Sequence, residues 1–522
     1  MGIRNDESMS DLIIDNTLNN KRIAKNTLFL YIRMILVMGV TLFTSRLVLY
    51  ALGEENYGIY NVVGCIVAMF GFFSSTLTST CQRYFSYYIG KEDNVGLERI
   101  FKLNMTTFLL FAAIVLLLAE TVGLWFVNEK LNIPNEKMFS MNCVYQCTLV
   151  GLFCSIILVP YSALIIAHER MSAFAYISII EVFLKLILVV VLLYIPSDKL
   201  VLYALSVLFT NISIVLYYYY YCRKCFNESK YKFYWNKKEF KDVLSYSGWH
   251  LIGALSVMIR NQGVNVLLNT FFNPIVNAGR AVAFQISHAV DSLSNNFFVA
   301  VKPQIYKYYA QSNFADLYSL LNTSTKVCFY LILIIAVPVI VNTESILAFW
   351  LKDVPVYAVL FTQLSLINAI ADSINGPAIA AALATTKIKW FEIITGGLMI
   401  LNLPLSYIVL RLGACPESTV LISIALSVLT IVIRAFILEN LIGLSKNEYL
   451  FKTCAPLIIV TFISIITSFL LSSYISNQII DVVVTTIYSF IVSSLLFYYI
   501  SLNKSERRMI YEYMNFIKTV VR

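Results

Sequence analysis

Charged residues are scarce in this sequence. Asp, Glu, Lys and Arg make up 13% of its 522 residues and hydrophobic residues make up 59%, whereas soluble proteins are typically about a quarter charged and about half apolar. A soluble chain of this composition would leave too much apolar surface in contact with water, which excludes a soluble globular protein. We therefore predict an all-α polytopic membrane protein.

Histidine and cysteine are too few, or too poorly grouped, for a metal or redox site. The chain has three histidines and ten cysteines, and Cys222 and Cys225 form a CxxC pair with no second pair to complete a zinc site. All cysteines except Cys415 fall in apolar segments or on the predicted cytoplasmic side, so we expect buried thiols and no disulfide framework. No predicted outer loop could hold a catalytic domain. We expect no enzyme activity, no metal, no cofactor and no nucleic acid partner.

Apolar segments long enough to cross a bilayer recur along nearly the whole chain. A helix needs about 20 mostly apolar residues to cross the hydrocarbon layer, which is roughly 30 Å thick. On this basis we predict fourteen membrane helices, with bounds 26–52, 58–89, 101–127, 140–167, 172–195, 200–222, 244–272, 276–306, 323–350, 356–385, 388–410, 418–440, 453–474 and 479–502.

The basic residues set the predicted orientation. Of the 39 lysines and arginines, seven lie inside predicted spans, 27 lie on the side of the termini, and five lie on the opposite side. Basic residues near short loops resist translocation, so we place both termini in the cytoplasm. The five outer residues are Lys130, Lys137, Lys199, Lys352 and Arg411.

The longest connection divides the chain into two predicted halves. Residues 223–243 carry seven basic residues, and we predict that they form a cytoplasmic linker. It would join an N-lobe of helices one to six (26–222) to a C-lobe of helices seven to twelve (244–440). The other predicted segments are a cytoplasmic N-terminal segment (1–25), helices thirteen and fourteen (441–502) and a basic cytoplasmic tail (503–522).

The two halves also show a weak internal match. A shift of 221 residues places Pro274 at the position of Gly53 and Tyr308 at that of Tyr87, which indicates either a duplication or an accidental coincidence. Because each half begins on the cytoplasmic side, a repeat would be parallel. Transporters built in this way usually hold their substrate between the repeats.

Charges inside the predicted spans carry most of the functional information, because they are costly in a bilayer and tend to face a cavity or a partner. Basic residues outnumber acidic ones there, so we expect some positive charge to lack a protein partner. Glu181 and Lys185, four residues apart, are expected to pair, with a proton relay as the alternative, and Arg434 is expected to extend to the cytoplasmic interface. The remaining candidates for an anion site are Arg33, Arg46, Arg83, Arg260 and Arg280.

Helical spacing groups some of these candidates with other polar residues. Ser79 and Arg83 share one face of helix two. On helix eight Arg280, Ser287 and Asp291 fall within a third of the circumference, and helix seven adds Asn261 and Asn265, four residues apart. We expect these polar stripes either to line a cavity or to form hydrogen bonds between packed helices. A guanidinium group matches phosphate oxygens and stays charged when partly desolvated, so an arginine-rich cavity favours an anionic substrate.

Three segments carry a resemblance to a known family. They are the junction of helices one and two (RLVLYALGEENYGIY, Arg46 to Tyr60), the end of helix two (CQRYFSYYIG, Cys81 to Gly90), and helix eight from NAGRAVAFQ (Asn277 to Gln285) to KPQIYKYYA (Lys302 to Ala310). With these segments the sequence resembles the multidrug/oligosaccharidyl-lipid/polysaccharide (MOP) exporter superfamily, and within it the Wzx-like polysaccharide transporters. The likeness covers essentially the whole chain in helix number and order.

This resemblance implies a fold and a cargo. The fold would be two six-helix lobes in a V around a central cavity, with two additional C-terminal helices, and the cavity would open alternately to each side of the membrane. The cargo would be a glycan on undecaprenyl diphosphate, with the diphosphate held by Arg83 and Arg280, which lie inside the matching segments, and by Arg46. Arg33, Arg260, Asn261 and Asn265 follow only from the arguments on charge and spacing.

The sequence thus predicts a flippase for lipid-linked oligosaccharides in the bacterial inner membrane. It would serve the biosynthesis of a surface polysaccharide such as capsule, exopolysaccharide or the O-antigen of lipopolysaccharide. A cation-coupled multidrug (MATE-type) exporter of the same superfamily is the alternative. Asp291 and Asp372 are the candidates for coupling to H⁺ or Na⁺. Membrane lipids, a polysaccharide polymerase and glycosyltransferases are further expected partners.

Overall fold

The computed structural model describes residues 22–508 except 24, 42, 49, 54–55, 57–59, 61–70, 130–134, 197, 273, 352–353, 476 and 505. Within these residues the secondary structure is entirely helical. The turn between the first two predicted helices and the two predicted terminal segments lie mostly outside them.

Fourteen long helices follow one another along the described chain. They are α1 (Lys25–Gly53), α2 (Gly71–Gly90), α3 (Asn94–Gly123), α4 (Met138–Ala167), α5 (Met171–Tyr194), α6 (Lys199–Cys225), α7 (Lys237–Phe271), α8 (Pro274–Ala310), α9 (Phe314–Val341), α10 (Ala358–Ala384), α11 (Lys389–Arg411), α12 (Ser418–Ile442), α13 (Glu448–Ser472) and α14 (Gln478–Ser501). A short helix, Thr343–Trp350, follows α9.

Twelve of these helices are long and apolar enough to cross a membrane, which makes the chain a polytopic membrane protein. The prediction of fourteen spans is therefore confirmed for twelve helices. The other two, α2 and α8, are helical but too polar over their described residues. They are two of the three helices on which the sequence places polar residues at helical spacing, and those residues lower their average hydropathy.

Two of the helices that begin earlier than predicted, α3 and α9, show how a capped first turn extends a helix. α3 starts at Asn94 rather than at residue 101, since the Asp93 side chain accepts a hydrogen bond from the backbone N–H of Gly96 at 2.8 Å. α9 starts at Phe314 rather than at residue 323, and the Asn313 side chain accepts from the backbone N–H of Asp316. Such caps satisfy N–H groups that have no partner within the helix, so the helices extend beyond their apolar segments.

The turns before α3 and α9 have the same backbone conformation. Glu92 and Ser312 both have left-handed φ angles, of 57° and 56°. The residue after each donates to the carbonyl five positions earlier, Asp93 to Tyr88 and Asn313 to Tyr308, both at 3.0 Å. The two turns correspond at a shift of 220 residues, so the predicted register of 221 is wrong by one residue.

The described chain divides into two compact units, one ending at Leu251 and one beginning at Ile252. In unit 1, α4 packs against α6 and α2, around buried apolar residues that include Met141, Tyr145 and Leu149. In unit 2, α10 packs against α8, α9 and α12, around residues that include Leu268 and Phe361. The predicted boundaries of lobes, linker and terminal segments stay predictions.

Helices α13 and α14 are part of unit 2, where both pack against α9 and against each other. A buried ion pair reinforces this packing: Nζ of Lys326 on α9, whose side chain is 1% exposed, lies 2.7 Å from a carboxylate oxygen of Glu506, just beyond α14. The other faces of α13 and α14 expose large apolar side chains such as Phe462 and Phe490, as helices in contact with lipid do.

Candidate functional site

Unit 2 contains a small polar cavity that collects most of the predicted C-lobe candidates. Its volume is about 110 Å³, below the roughly 300–1,000 Å³ of pockets for drug-sized ligands. Helices α7, α8, α10 and α12 contribute its lining. The polar lining residues are Arg260, Asn261, Arg280, Ser287, His288, Asp291, Ser365, Asn368, Asp372 and Ser423.

Asp372 on α10 is held by partners from two directions. Its Oδ2 atom lies 3.4 Å from Nη2 of Arg260 on α7 and accepts a hydrogen bond from Nδ2 of Asn368 at 3.0 Å. Asn368 in turn accepts from the Ser427 hydroxyl of α12 at 3.1 Å. Arg260 is therefore paired with a carboxylate, so it is not among the positive charges without a protein partner that the sequence predicts.

Arg280 on α8 is held less completely. Its Nη2 donates to the backbone carbonyl of Asn261 at 3.3 Å, while its buried Nη1 has no hydrogen-bond partner among the described residues. A buried donor without a partner is costly. Arg280 therefore has donor capacity available for an anion or water in the cavity.

Asp291 lies one turn beyond Ser287 and His288 on α8 and lines the same cavity. It is close enough to Asp372 and Arg260 to interact electrostatically with both. The ring of His288 packs edge-on against Phe284, with centroids 4.1 Å apart. Two carboxylates with several hydroxyl and amide oxygens form a donor set that hard cations prefer, and a pair of carboxylates can also share a proton.

The sequence interpretation missed part of this lining. Ser365 and Asn368 precede Asp372 by seven and four residues on α10, so helical spacing places all three on one face. That periodicity could have identified them. His288 and Ser423 carry no comparable signal, because their position depends on how α8 and α12 are rotated against their neighbours.

Arg83 on α2 has a different environment, in unit 1. It is 2% exposed, and its guanidinium carbon lies 4.6, 5.0 and 5.4 Å from the ring centroids of Tyr84, Tyr87 and Tyr246. Tyr246 belongs to α7, and the Ser247 hydroxyl next to it donates to that of Thr80 on α2 at 3.4 Å. Arg83 thus sits under three aromatic rings, each of which attracts a cation.

The other predicted site residues are not among the lining residues of the unit 2 cavity. The guanidinium carbon of Arg33 stacks 4.6 Å from the Phe174 ring in unit 1, and Arg46 is exposed on α1. Asn265 donates to the side chain of Gln262 at 3.1 Å and does not line the cavity.

Two other expectations about intramembrane charge have opposite outcomes. The pairing of Glu181 and Lys185 is confirmed, with 2.6 Å between their charged atoms. The expectation that Arg434 extends to the interface is wrong, because this residue is 3% exposed and its guanidinium carbon lies 5.7 Å from the ring centroid of Phe391.

Unit 1 contains a second cavity, of about 180 Å³, that the sequence did not predict. Lys185 lines it together with hydroxyl groups from α1 and α6, such as Thr44 and Ser206. These two hydroxyls donate to backbone carbonyls four residues earlier, at 2.7 and 2.8 Å. Their lone pairs stay available, but the ammonium group is already paired with Glu181.

Comparison with known proteins adds a family and a fold. A family model described as "Polysaccharide biosynthesis protein" matches residues 23–309, just over half of the chain. No curated protein sequence matches. The fold matches solved structures of the MOP superfamily and its MATE transporters at 13–14% identity.

Three of these structures illustrate the match. One is an outward-facing multidrug resistance MATE family transporter of the MOP superfamily, with a TM-score of 0.67, 13% identity, and coverage of 80% of this chain and 96% of that one. The MATE transporter ClbM in complex with Rb⁺ matches at 0.68 and 14%, covering 82% and 97%. A MOP superfamily transporter from Pyrococcus furiosus, described by the reverse polarity of its binding pocket, matches at 0.63 and 13%, covering 81% and 97%.

Proposed function

This chain belongs to the polysaccharide biosynthesis protein family, and on that premise we propose that it flips an undecaprenyl-diphosphate-linked oligosaccharide across the bacterial inner membrane by alternating access. The observation that supports this cargo most directly is the buried Nη1 of Arg280, which has no partner among the described residues. Arg280 lies inside the family match, as do Arg83 and Arg260. The glycan would serve surface polysaccharide assembly.

The chemistry of the diphosphate fits these arginines. A guanidinium group donates two parallel hydrogen bonds to phosphate oxygens, and in a low-dielectric site each of these bonds is stronger than in water. The cavity of about 110 Å³ at Arg280 is too small for an oligosaccharide. It suits one phosphate group or an ion, so the sugars and the lipid tail would be held elsewhere.

Uphill transport would need a coupled ion, and Asp291 and Asp372 are the residues we propose for it. The two carboxylates share one cavity and repel each other when both are ionised, which favours binding of H⁺ or Na⁺. Arg260 already compensates Asp372. Asp291 is therefore the carboxylate more available to a cation.

Reconstituted protein provides the test. Liposomes would be loaded with a defined undecaprenyl-diphosphate glycan, and its appearance in the opposite leaflet would be measured. We expect Arg280→Ala and Arg83→Ala to lose at least about tenfold in rate, the cost of removing one charge-assisted hydrogen bond of roughly 1.5–3 kcal/mol. Arg411→Ala, at an exposed position on the predicted outer side, is the matched control with an unchanged rate. Normal rates in both arginine variants would exclude the diphosphate clamp.

The alternative is a cation-coupled drug exporter of the same superfamily. It is favoured by the two carboxylates in the unit 2 cavity and by a fold shared with MATE transporters, one of which is described in complex with Rb⁺. An exporter of cationic compounds would need a site of net negative charge, whereas this cavity holds two arginines beside its two carboxylates. Efflux of cationic dyes that is lost in Asp291→Asn, with no glycan transport in liposomes, would establish the alternative.

A further inference from the structure

The connection between α6 and α7 begins with residues that are fixed to the body of unit 1. The Phe226 ring is buried and stacks on the His168 ring at the end of α4, with centroids 4.3 Å apart. Nε2 of His168 also lies 2.6 Å from a carboxylate oxygen of Glu228. The Tyr231 hydroxyl lies 3.3 Å from the Thr106 hydroxyl of α3. The start of the connection is therefore held by contacts with two helices.

The end of the connection is fixed by the first turn of α7. The Asn236 side chain accepts hydrogen bonds from the backbone N–H groups of Lys238 and Glu239, at 3.0 and 3.3 Å. The rings of Trp235 and Phe240 pack with centroids 4.4 Å apart. Residues 232–235 are not helical, but they are held at both ends and present their side chains in a defined place.

Large apolar side chains are exposed along this connection and on α7. Phe233 is 76% exposed and Trp235 is 43% exposed. On α7, Leu244 is 54% exposed, whereas Val243 and Tyr246 are buried. Contiguous apolar groups at a protein surface mark a contact with a membrane or with a partner. The exposed rings therefore indicate that this part of unit 1 has an occupant.

The charges of the same segment are separated. Residues 223–243 contain seven basic and three acidic residues. Glu228 is paired with His168, and Glu239 and Asp242 interact electrostatically with tyrosines of α2. The lysines are all exposed, at positions Lys230, Lys232, Lys237, Lys238 and Lys241. The segment thus directs its acids to unit 1 and offers positive charge to its surroundings.

The neighbouring helix ends place this charge near the membrane surface. The last turns of α6 expose Tyr217 and Tyr220, and tyrosines on a membrane helix are typical of the headgroup level. At a rise of 1.5 Å per residue, Tyr220 lies about 8 Å from the end of α6, and Leu244 lies about 10 Å from the start of α7. The connection joins these two ends, so its rings and lysines lie close to the lipid headgroups.

We propose that this connection binds anionic phospholipids on the predicted cytoplasmic side. The lysines bind the lipid phosphates, and the exposed rings insert between the headgroups. Interleaved basic and aromatic residues next to a membrane helix suit this partner, because anionic headgroups attract the lysines and the interface accepts the rings. We call the residues involved the linker surface: Lys230, Lys232, Phe233, Trp235, Lys237 and Lys241. This proposal does not depend on the cargo.

Fluorescence of Trp235 tests the contact with lipid. In a chain whose other tryptophans are replaced by phenylalanine, the protein is reconstituted into vesicles of brominated phosphatidylcholine with increasing phosphatidylglycerol. Bromine quenches a tryptophan that reaches the lipid, so we expect quenching that rises with the phosphatidylglycerol content. Lys230→Gln/Lys232→Gln should raise the content needed for half-maximal quenching by about fivefold or more, since each lysine near an anionic surface contributes about 1 kcal/mol.

Lys387→Gln/Lys446→Gln is the matched control, because it removes the same charge elsewhere on the predicted cytoplasmic side. It should leave the quenching curve of Trp235 unchanged. An equal shift in this control would show a diffuse effect of net charge and overturn the proposal. Absence of quenching at every lipid composition would also overturn it and assign the exposed rings to a soluble partner.

Proteolysis tests the same surface in the unmodified chain. Trypsin is added outside vesicles with and without phosphatidylglycerol, and cleavage after Lys230 and Lys232 is followed by mass spectrometry. We expect the anionic lipid to slow this cleavage about fivefold or more. Cleavage after Lys387, an exposed residue in the turn between α10 and α11, should be unaffected and serves as the internal reference. Equal rates after Lys230 and Lys232 in both kinds of vesicle would refute the lipid contact.

Discussion

Arg83 in unit 1 and Arg260 in unit 2 are two intramembrane arginines that are stabilised in different ways. Arg83 is 2% exposed and lies under the rings of three tyrosines. Arg260 lines a polar cavity and is paired with Asp372 at 3.4 Å. Three aromatic rings surround the guanidinium of Arg83, whereas a carboxylate compensates the positive charge of Arg260. Counting arginines along a sequence therefore overstates the positive charge offered to a substrate.

The two environments also differ in how much stability a substitution of the partner residue costs. An ion pair in a low-dielectric site depends on both partners, because loss of one leaves the other charge unpaired. A cation beneath an aromatic ring loses a smaller and more local interaction when the ring is removed. We therefore expect unit 2 to be more sensitive than unit 1 to single substitutions around its arginine.

The largest expected effect is that of Asp372→Leu. Without this carboxylate Arg260 stays in the cavity without its ion-pair partner, and breaking such a pair costs about 3 kcal/mol when it is fully buried. Because the Asp372 side chain is 31% exposed to the cavity, we expect a lower value, about 2 kcal/mol. Thermal unfolding in detergent, followed by tryptophan fluorescence, provides the measurement. The double variant Arg260→Met/Asp372→Leu should recover most of the loss, and a double variant as unstable as the single one would contradict the pairing.

A smaller effect is expected from the tyrosine that α7 contributes above Arg83. Tyr246→Leu removes one ring face from a buried guanidinium, which should cost about 1–2 kcal/mol. Tyr246→Phe keeps the ring and should be nearly neutral, apart from any hydrogen bond of the hydroxyl. The same unfolding assay applies to both. If Tyr246→Phe were as destabilising as Tyr246→Leu, the hydroxyl rather than the ring would support Arg83, and the contrast with unit 2 would fail.

The helices could be predicted from the sequence, whereas the surroundings of most candidate residues could not. A segment of about 20 apolar residues has few alternatives to a membrane helix, so the order and approximate bounds of twelve of the fourteen helices follow from hydropathy. Periodicity within α8 placed Arg280 and Asp291 on one face. It could not place Asp372 opposite Arg260, because that depends on how α10 is rotated against α7. The same reason applies to Arg434. Its position along α12 predicted a side chain at the cytoplasmic interface, but the rotation of α12 about its axis buries this side chain against Phe391.

The smallest expected effects concern two turns with the same backbone conformation, one in each unit. Glu92 and Ser312 adopt left-handed φ angles of 57° and 56° and are both exposed. A residue with a Cβ atom pays about 1–2 kcal/mol for this conformation, and glycine does not. Glycine also loses more backbone entropy on folding, so Glu92→Gly and Ser312→Gly should each stabilise the protein by no more than about 1 kcal/mol.

Glu169 provides the control, because its turn has the same backbone conformation but a different side-chain role. Its φ is 58°, yet its carboxylate is 1% exposed and lies 2.7 Å from the Arg22 guanidinium. Glu169→Gly should therefore destabilise, since the lost ion pair outweighs the relief of strain. A stabilising Glu169→Gly would show that the backbone alone decides the effect. If Glu92→Gly stabilises the protein and Glu169→Gly destabilises it, the same turn conformation has two roles. The turn at Glu92 only connects two helices, whereas the turn at Glu169 also holds the start of α1.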